Sequence, residues 1–262
     1  MNLRTVNVTR YIQPLREGGS LPALAEADDG FKYVVKFRGS GHGSKALISE
    51  LLGGLIARVL KFKIPELVFI HLDEAFGLRQ EDEEIQDLLR ASRGLNLGLH
   101  FLSGALAFDP VTTQPNAEIS SKIVWMDSFL TNVDRTVKNT NMLMWHKELW
   151  LIDHGSTLYF HHNRTNWVDA SVNLFQYIKE HVLLPFTPER ELIAADEYAR
   201  QILTEEVLHE LTSLIPDEWT EWREDEESAD DIREVYFQFL NNRLKHSDIF
   251  LNEAINARKA LI

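Results

Sequence analysis

Short apolar runs separated by turn-forming residues occupy the first third of the chain. Apolar residues fill much of segments 6–12, 21–27 and 31–37. The last two segments are separated by the sequence Asp-Asp-Gly at residues 28–30, which favours a tight turn between paired strands. The pattern predicts strands in these three segments and a further strand at residues 67–72.

Helical periodicity begins after the third of these segments. Leu47, Leu51 and Leu55 recur at a spacing of about one helical turn, which predicts a helix over residues 44–60. Two adjacent glycines, Gly53 and Gly54, weaken this helix and indicate a close contact or a kink. Further helices are predicted at residues 81–92, at residues 116–130, and from residue 166 onward with breaks at Pro185, Pro188 and Pro216.

Strands therefore cluster at the front of the chain and helices at the back. The sequence predicts a strand-like connector at residues 94–108. It also predicts two short strands around a turn, at residues 141–145 and 148–152. We expect one α+β domain in two lobes, with residues 1–93 as a strand-rich N-lobe and residues 94–262 as a mainly helical C-lobe. A cleft between two such lobes is the usual place for a ligand.

The composition excludes several kinds of site. The chain has no cysteine, which rules out disulfides, thiolate metal sites and cysteine nucleophiles. Its net charge of −13 argues against broad binding to nucleic acid. An acidic run at residues 217–231 is typical of solvated helix faces and loops. No apolar stretch approaches the roughly 20 residues that span a bilayer, and the N-terminus has no signal-peptide pattern. We expect a soluble, cytoplasmic protein.

Three polar residues in the middle of the chain have the spacing of a phosphate-transfer site. Asp134 lies in a polar loop after an apolar helix, and Asn139 follows at the Asp-to-Asn offset of kinase catalytic loops. Asp153, in a short Asp-His-Gly segment, takes the place of the DFG aspartate that binds Mg²⁺. We predict Asp134 as the catalytic residue and Asn139 and Asp153 as metal ligands. Taken alone, the loop residues also fit simple turn or helix caps.

A lysine at the end of a predicted strand adds to this pattern. Lys36 ends the sequence Tyr-Val-Val-Lys, which matches the V-A-I-K pattern of kinase strands. Val34 shares its face, because strand side chains alternate, and is predicted to line an adenine pocket. Glu50, in the next predicted helix, is predicted to pair with Lys36 and fix it toward the phosphates of ATP.

Two glycine-rich segments are further candidates for phosphate contact. Gly18, Gly19 and Ser20 lie between the first two predicted strands and are predicted to cover the phosphates with backbone N–H groups. Residues 38–45 follow a strand and open a helix, so Ser40 or Ser44 could meet a phosphate at the helix N-terminus. A plain turn and a flexible connector are the alternatives for these two segments.

The catalytic-loop residues resemble those of two related kinase families. The pattern N-x-D-R-x-x-x-N, followed by I-D-x-G, resembles the type II phosphatidylinositol 4-kinases. It is also similar to the HipA-like kinases, whose loop runs N-x-D-x-H-x-K-N. Asn132, Asp134, Lys138 and Asn139 occupy the matching positions. Thr136 stands where HipA has His. The resemblance spans roughly residues 36–156 and implies a bilobal protein-kinase-like fold.

The resemblance also implies an activity. We expect an ATP- and Mg²⁺-dependent kinase of the HipA-like type, with Asp134 and Lys36 in the reaction and a serine or threonine of a protein as acceptor. Such a kinase can be a toxin, with an antitoxin or inhibitor as partner, and can autophosphorylate a loop serine, for which Ser20 is the candidate. Arg135 matches the lipid kinases, so a lipid is an alternative acceptor of the phosphate. A small molecule is a further alternative acceptor. The protein could also be a pseudokinase that binds a nucleotide without transferring phosphate. No direct nucleic-acid contact is expected.

Overall fold

The computed structural model describes residues 2–15, 21–41, 43–73, 82–163, 166–224 and 226–261. They form an α+β structure with a strand-rich N-terminal part and a helical C-terminal part, which confirms the predicted α+β class and its order of strands and helices. The strands are β1 (Thr5–Pro14), β2 (Ala23–Ala27), β3 (Lys32–Lys36), β4 (Leu67–Leu72), β5 (Gly94–His100), β6 (Leu106–Ala107), β7 (Met142–Trp145) and β8 (Glu148–Leu151). The α-helices are α1 (Gly43–Val59), α2 (Glu83–Ala91), α3 (Ala117–Leu130), α4 (Glu189–Ile202), α5 (Glu205–Thr212), α6 (Ala229–Lys245) and α7 (Ser247–Lys259).

Five strands form a closed barrel in the order β1-β2-β3-β5-β4. Neighbouring strands are antiparallel, except that β1 and β4 pair in parallel and close the barrel. The turn predicted after β2 is present, because Gly30 has a φ of 81° and its N–H donates to the carbonyl of Ala27 at 3.0 Å. The lobe boundary predicted after residue 93 falls directly before β5, which pairs with β3 and β4 and so belongs to the barrel.

Strand β3 contributes to two separate cores. Tyr33 and Val35 are buried inside the barrel, where they pack with apolar residues of the other strands and of α2. Val34 and Lys36 are half-buried on the opposite face, because successive strand side chains alternate. Helix α1 lies on this face and buries every residue from Leu47 to Ala57. The helix therefore joins the barrel to the main core of the helical part.

The two adjacent glycines of α1 mark close contacts. A Cβ atom on Gly53 would lie 2.5 Å from the Cβ of His154, and one on Gly54 would lie 2.7 Å from Cδ1 of Leu67. Both distances are shorter than real Cβ contacts allow. At Gly53 the atom met is next to the backbone, so glycine is needed there for the helix to approach His154, whereas at Gly54 it is the end of a flexible side chain. The close contact predicted at this pair is confirmed.

A buried helix and a small sheet follow the barrel. The side chain of Asn116 caps α3 by accepting from the N–H groups of Glu118 and Ile119, and the helix ends at Thr131 with a left-handed φ of 55°. Strands β7 and β8 form the predicted hairpin, and β6 pairs with β7. This arrangement holds the loop of residues 131–141 between the end of α3 and the start of β7.

The chain between residues 166 and 188 differs from the predicted helix. It contains the short 3₁₀ helices Asp169–Val172, Gln176–Glu180 and Leu184–Phe186, and the next α-helix, α4, begins only after Pro188. Pro185 and Pro188 lack the N–H that a continuous helix needs. None of the helices within the described residues is long and apolar enough to cross a bilayer.

Part of the acidic run ties the helical part to the barrel. Glu218 and Glu221 accept from the guanidinium of Arg38, each at 3.0 Å. Between them, Trp219 is fully buried and its Nε1 donates to the carbonyl of Leu95 at 2.9 Å. This end of the run therefore packs against the barrel through Trp219, while the carboxylates of Glu218 and Glu221 stay about half exposed, as predicted for a solvated face.

Candidate active site

An open cavity of about 880 Å³ lies beside β3, α1 and the loop that follows α3. It brings together the predicted site residues Lys36, Glu50, Asp134, Asn139 and Asp153. Its remaining lining includes further charged or polar residues, among them Ser40, Lys45, Lys138, Asn141, Tyr159 and His162.

Lys36 is held between two carboxylates. Its Nζ lies 2.7 Å from Oδ1 of Asp153 and 3.6 Å from Oε2 of Glu50. Burial would lower the pKa of this lysine, but the charges of Glu50 and Asp153 outweigh burial and leave the pKa raised. The side chain is therefore a fixed cation at the wall of the cavity, as a phosphate-binding lysine must be.

Glu50 is a buried carboxylate on α1. Its side chain is only 1% exposed, and Nδ1 of His154 lies 3.8 Å from Oε1, too far for a hydrogen bond. Burial would raise the pKa of Glu50, but the ammonium of Lys36 and the neighbouring His154 lower it to about 2. The glutamate therefore stays ionised and supports Lys36 by charge.

Asp153 follows β8 in a left-handed backbone conformation, with a φ of 54°. Non-glycine residues seldom adopt this conformation, which is found at functional sites more often than elsewhere. His154, the next residue, is buried against Gly53 of α1. The close packing at Gly53 thus fixes the segment from which the Asp153 carboxylate reaches Lys36.

Asp134 receives two amide donors on one carboxylate oxygen. Nδ2 of Asn139 donates to Oδ2 of Asp134 at 2.9 Å, and Nδ2 of Asn141 donates to the same oxygen at 3.1 Å. Burial raises the pKa of Asp134 and the charge of Asp153 adds to the effect, while the two amide hydrogen bonds oppose it. The arrangement leaves Oδ1 as the oxygen for a hydroxyl in the cavity.

Three residues at this site were not predicted from the sequence. Asn141 lines the cavity beside Asn139, and Asp127 and His181 are buried beneath the loop. Asn141 had a sequence signal in the Asn-Thr-Asn repeat at residues 139–141. Asp127 is the one acid among the buried residues of α3, which is also a signal. His181 had none, because its contact with Asp127 joins residues 54 positions apart.

The remaining predicted contacts fall into three groups. Gly18, Gly19 and Ser20 lie outside the described residues. Val34 packs against the main core and is not part of the described cavity lining. Ser40 lines the cavity close to the N-terminus of α1, whereas Ser44 does not belong to the lining.

The donor atoms at the cavity suit a hard cation. Asp153 offers carboxylate oxygens, and Asn139 uses its amide nitrogen on Asp134, which leaves its amide oxygen for a metal. Within the described part of the chain, no group of three or more His, Asp or Glu residues could enclose a metal. Mg²⁺ does not need such a cage, because it keeps several waters and binds substrate phosphates. The residues present therefore fit Mg²⁺ better than a metal that is fully enclosed by protein.

Comparisons with known proteins show a similar fold and the family of the chain. A solved structure that is similar in fold is that of a Helicobacter pylori proinflammatory kinase, CtkA, with a TM-score of 0.56 and 12% identity over 99% of each chain. Identity this low shows the fold alone. Comparison with curated proteins finds no match. The model of one family, described as HipA-like kinase, matches residues 8–251. This chain therefore belongs to the HipA-like kinase family.

Proposed function

We propose that this protein transfers the γ-phosphate of ATP to a serine or threonine hydroxyl of another protein, with Mg²⁺ as cofactor. The observation that carries the proposal is the composition of one cavity. A lysine buried between two carboxylates lies on one wall, and Asp134 with its two amide donors lies on the other. In this proposal the barrel and the helical part act as the two lobes of a kinase, with the cavity between them.

The nucleotide side of the cavity would be formed by β3 and α1. Lys36 would bind phosphate oxygens, and Glu50 would keep it in place, since their atoms are already 3.6 Å apart. The N-terminus of α1 carries a partial positive charge, and Ser40 lies in the lining just before it. Val34 and the segment of residues 18–20 stay predictions for the adenine and phosphate contacts.

Asn139 and Asp153 would hold Mg²⁺, which would offset charge on the phosphate oxygens. In the structure Oδ1 of Asp153 accepts from Lys36 at 2.7 Å. A carboxylate has two oxygens, so Oδ2 would be the oxygen of Asp153 that holds the metal.

Transfer would then depend on Asp134. Its Oδ1 would accept the hydrogen bond of the acceptor hydroxyl and turn the oxygen toward the γ-phosphorus. A bond forms between that oxygen and the γ-phosphorus, the bond to the β–γ bridging oxygen breaks, and ADP leaves. The hydroxyl proton passes toward Asp134.

A protein acceptor is supported by the family and by exposed apolar residues beside the cavity. Tyr159 lines the cavity and is 60% exposed, and Val137 in the catalytic loop is 75% exposed. Such residues would contact a polypeptide that brings its hydroxyl to Asp134. A toxin role and an antitoxin or inhibitor as partner stay predictions from the resemblance, and a cytoplasmic location stays a prediction from the composition of the sequence.

The test is transfer of label from [γ-³²P]ATP with Mg²⁺, using bacterial lysate proteins and phosphoinositide vesicles as acceptors in parallel. Wild type is compared with Asp134→Asn and Asp153→Ala. Asp87→Asn serves as the matched control, because Asp87 is an exposed aspartate on α2, outside the cavity. ATP affinity is measured separately with a fluorescent ATP analogue.

Label in protein bands that requires both Asp134 and Asp153, but not Asp87, supports the proposal. Asp134→Asn is expected to lose transfer while it keeps ATP binding, since Asp134 faces the acceptor. Label in lipid alone would replace the protein acceptor with a lipid. If the wild-type protein binds ATP but transfers label to no acceptor, the proposal that it is an enzyme would be wrong. The protein would then be a nucleotide-binding pseudokinase.

A further inference from the structure

Asp127 is a buried acid at the base of the catalytic loop. It lies on α3 with no exposed side-chain surface and outside the cavity lining. Its Oδ1 accepts from Nδ2 of Asn132 at 2.8 Å, and its Oδ2 accepts from Nε of Arg135 at 2.6 Å. Burial would raise the pKa of Asp127, but Arg135 and His181 hold the pKa well below its usual range. The carboxylate is therefore ionised and fully engaged.

Asn132 and Arg135 each link Asp127 to Asp134 through further hydrogen bonds. On the first path, Oδ1 of Asn132 accepts from the backbone N–H of Asp134 at 3.1 Å. On the second path, Arg135 donates to the carbonyl of Asn141, and Asn141 donates to the carbonyl oxygen and to Oδ2 of Asp134 at 3.0 and 3.1 Å. Asp127 thus holds Asp134 from two sides, one through the backbone and one through the carboxylate.

His181 connects this cluster to the segment after the 3₁₀ helix Gln176–Glu180. Its Nδ1 accepts from the backbone N–H of Leu183 at 3.0 Å, so the proton of the neutral ring is on Nε2, which donates to Oδ2 of Asp127 at 2.8 Å. The backbones of the two segments also pair, because the N–H of Val182 donates to the carbonyl of Arg135 at 3.0 Å. A movement of this segment would therefore displace the catalytic loop, which is the loop of residues 131–141.

We propose that Asp127 is a positioning residue that holds the carboxylate of Asp134 in its reactive place, and that His181 is the second member of this positioning unit. The inference rests on the proposed phosphotransfer. Neither residue touches substrate. Their contribution is to fix a hydrogen-bonded loop whose displacement by about 1 Å could reduce the rate 100-fold. A role in transfer rather than in nucleotide binding follows, since both paths end on Asp134 and neither reaches Lys36.

The test compares Asp127→Asn with Asp196→Asn. Asn keeps the shape of Asp127 but places an NH₂ group against one of its donors. Asp196 is the matched control, because it is a buried aspartate on α4 that accepts from Nε1 of Trp125 on α3 at 2.8 Å and has no described hydrogen bond to the catalytic loop. Release of ADP from MgATP is measured with the acceptor preparation described above, which gives kcat and KM, and ATP affinity is measured with the fluorescent analogue.

We expect Asp127→Asn to lower kcat by roughly 100-fold while ATP affinity changes by less than about threefold. Asp196→Asn should leave both within about threefold, even where the two variants lose similar stability. Equal kcat in Asp127→Asn and wild type would overturn the inference. So would a fall in kcat that matches the loss of folded protein, as the Asp196 control would show.

A second pair of variants decides the matter if Asp127→Asn does not fold. In His181→Gln the amide can donate to Asp127 and accept from Leu183, whereas His181→Ala can do neither. We expect the Gln variant to keep most of kcat and the Ala variant to lose about tenfold or more. Equal rates for the two would overturn the inference. A wild-type protein without any ADP release would instead remove the proposed function on which the inference rests.

Discussion

Lys36 donates a 2.7 Å hydrogen bond to Asp153, a residue 117 positions later in the chain. The lysine belongs to the barrel and the aspartate to the segment after β8, so this contact joins the barrel to the segment that carries Asp153. Glu50 stands behind the lysine at 3.6 Å and is almost completely buried. The three charges are therefore interdependent, and removal of one changes the state of the other two.

The first prediction concerns the cost of separating Lys36 from Glu50. In Lys36→Met the buried Glu50 loses its counter-charge, and breaking a buried ion pair in this way costs about 3–5 kcal/mol of unfolding free energy. The double variant Lys36→Met with Glu50→Gln should lose less than the sum of the single variants, because no uncompensated charge remains. Urea unfolding of all four proteins measures this coupling.

The control for this cycle is the exposed pair Lys63 and Glu148. These side chains are about half exposed and their charged atoms are 3.4 Å apart, so a coupling below about 1 kcal/mol is expected. If the Lys36–Glu50 coupling were no larger than that of the exposed pair, the glutamate would not be the buried support that the geometry indicates.

A second prediction uses the two glycines of α1. Alanine in place of a helical glycine usually stabilises by about 1 kcal/mol. At Gly53 the new Cβ would lie 2.5 Å from Cβ of His154, an atom next to the backbone that cannot rotate away. Gly53→Ala should therefore destabilise by about 1–3 kcal/mol and lower the transfer rate, because His154 is adjacent to Asp153.

Gly54→Ala provides the comparison for this effect. Its Cβ would meet Cδ1 of Leu67 at 2.7 Å, which is the far end of a flexible side chain. We expect a smaller loss of stability and an unchanged transfer rate per folded molecule, measured by thermal unfolding and ADP release. A Gly53→Ala variant as active and as stable as Gly54→Ala would show that α1 does not position the Asp153 segment.

Ser40 and Ser44 give a third prediction, for ATP affinity. Both serines were candidates for phosphate contact, but only Ser40 lines the cavity. A hydrogen bond to a charged group contributes about 1.5 kcal/mol or more, so Ser40→Ala should weaken ATP binding by roughly tenfold. Ser44→Ala should bind ATP as wild type does. Titration with the fluorescent ATP analogue measures both, and equal affinities in the two variants would remove Ser40 from the phosphate site.

The local part of the structure was predictable from the sequence, and the reason lies in periodicity and spacing. The helix expected at residues 44–60 is α1 at Gly43–Val59, and the strand expected at residues 67–72 is β4. The residues Lys36, Asp134, Asn139 and Asp153 were selected by the spacing of known motifs, and they line one cavity. Their chemical roles stay predictions that the variants above would test.

The contacts that span long stretches of chain were not predictable. The partnership of His181 with Asp127 depends on how a 3₁₀ segment folds back on the loop, and no local pattern encodes it. The pairing of β5 with β3 and β4 is also set by barrel closure, not by the glycine-rich sequence of that strand. In both cases the contact is set by tertiary packing and not by the local secondary-structure propensity of the residues.

The fourth prediction is a loss of stability in mild acid. His161 and His181 are both buried, and burial lowers the pKa of each below the ordinary value of 6.5. Lys45 and His162 lower it further at His161, which faces Tyr236 from α6. At His181 the hydrogen bond and the charge of Asp127 raise the pKa, but by less than burial lowers it. The charge of Arg135 lowers the pKa of His181 further.

The sign follows from proton binding. In the unfolded chain both rings take up protons as the pH falls through about 6.5, while the folded protein keeps them neutral until a lower pH. The stability they contribute is therefore fully present above that pH and is lost as the pH falls, by at most about 1.4 kcal/mol per unit for each ring. Urea unfolding at pH 7.5, 6.5 and 5.5 should show this decline. His161→Gln should flatten it, and His71→Gln should not, because His71 is exposed on β4. An unchanged slope in His161→Gln would mean that this ring is protonated in the folded state as readily as in the unfolded chain.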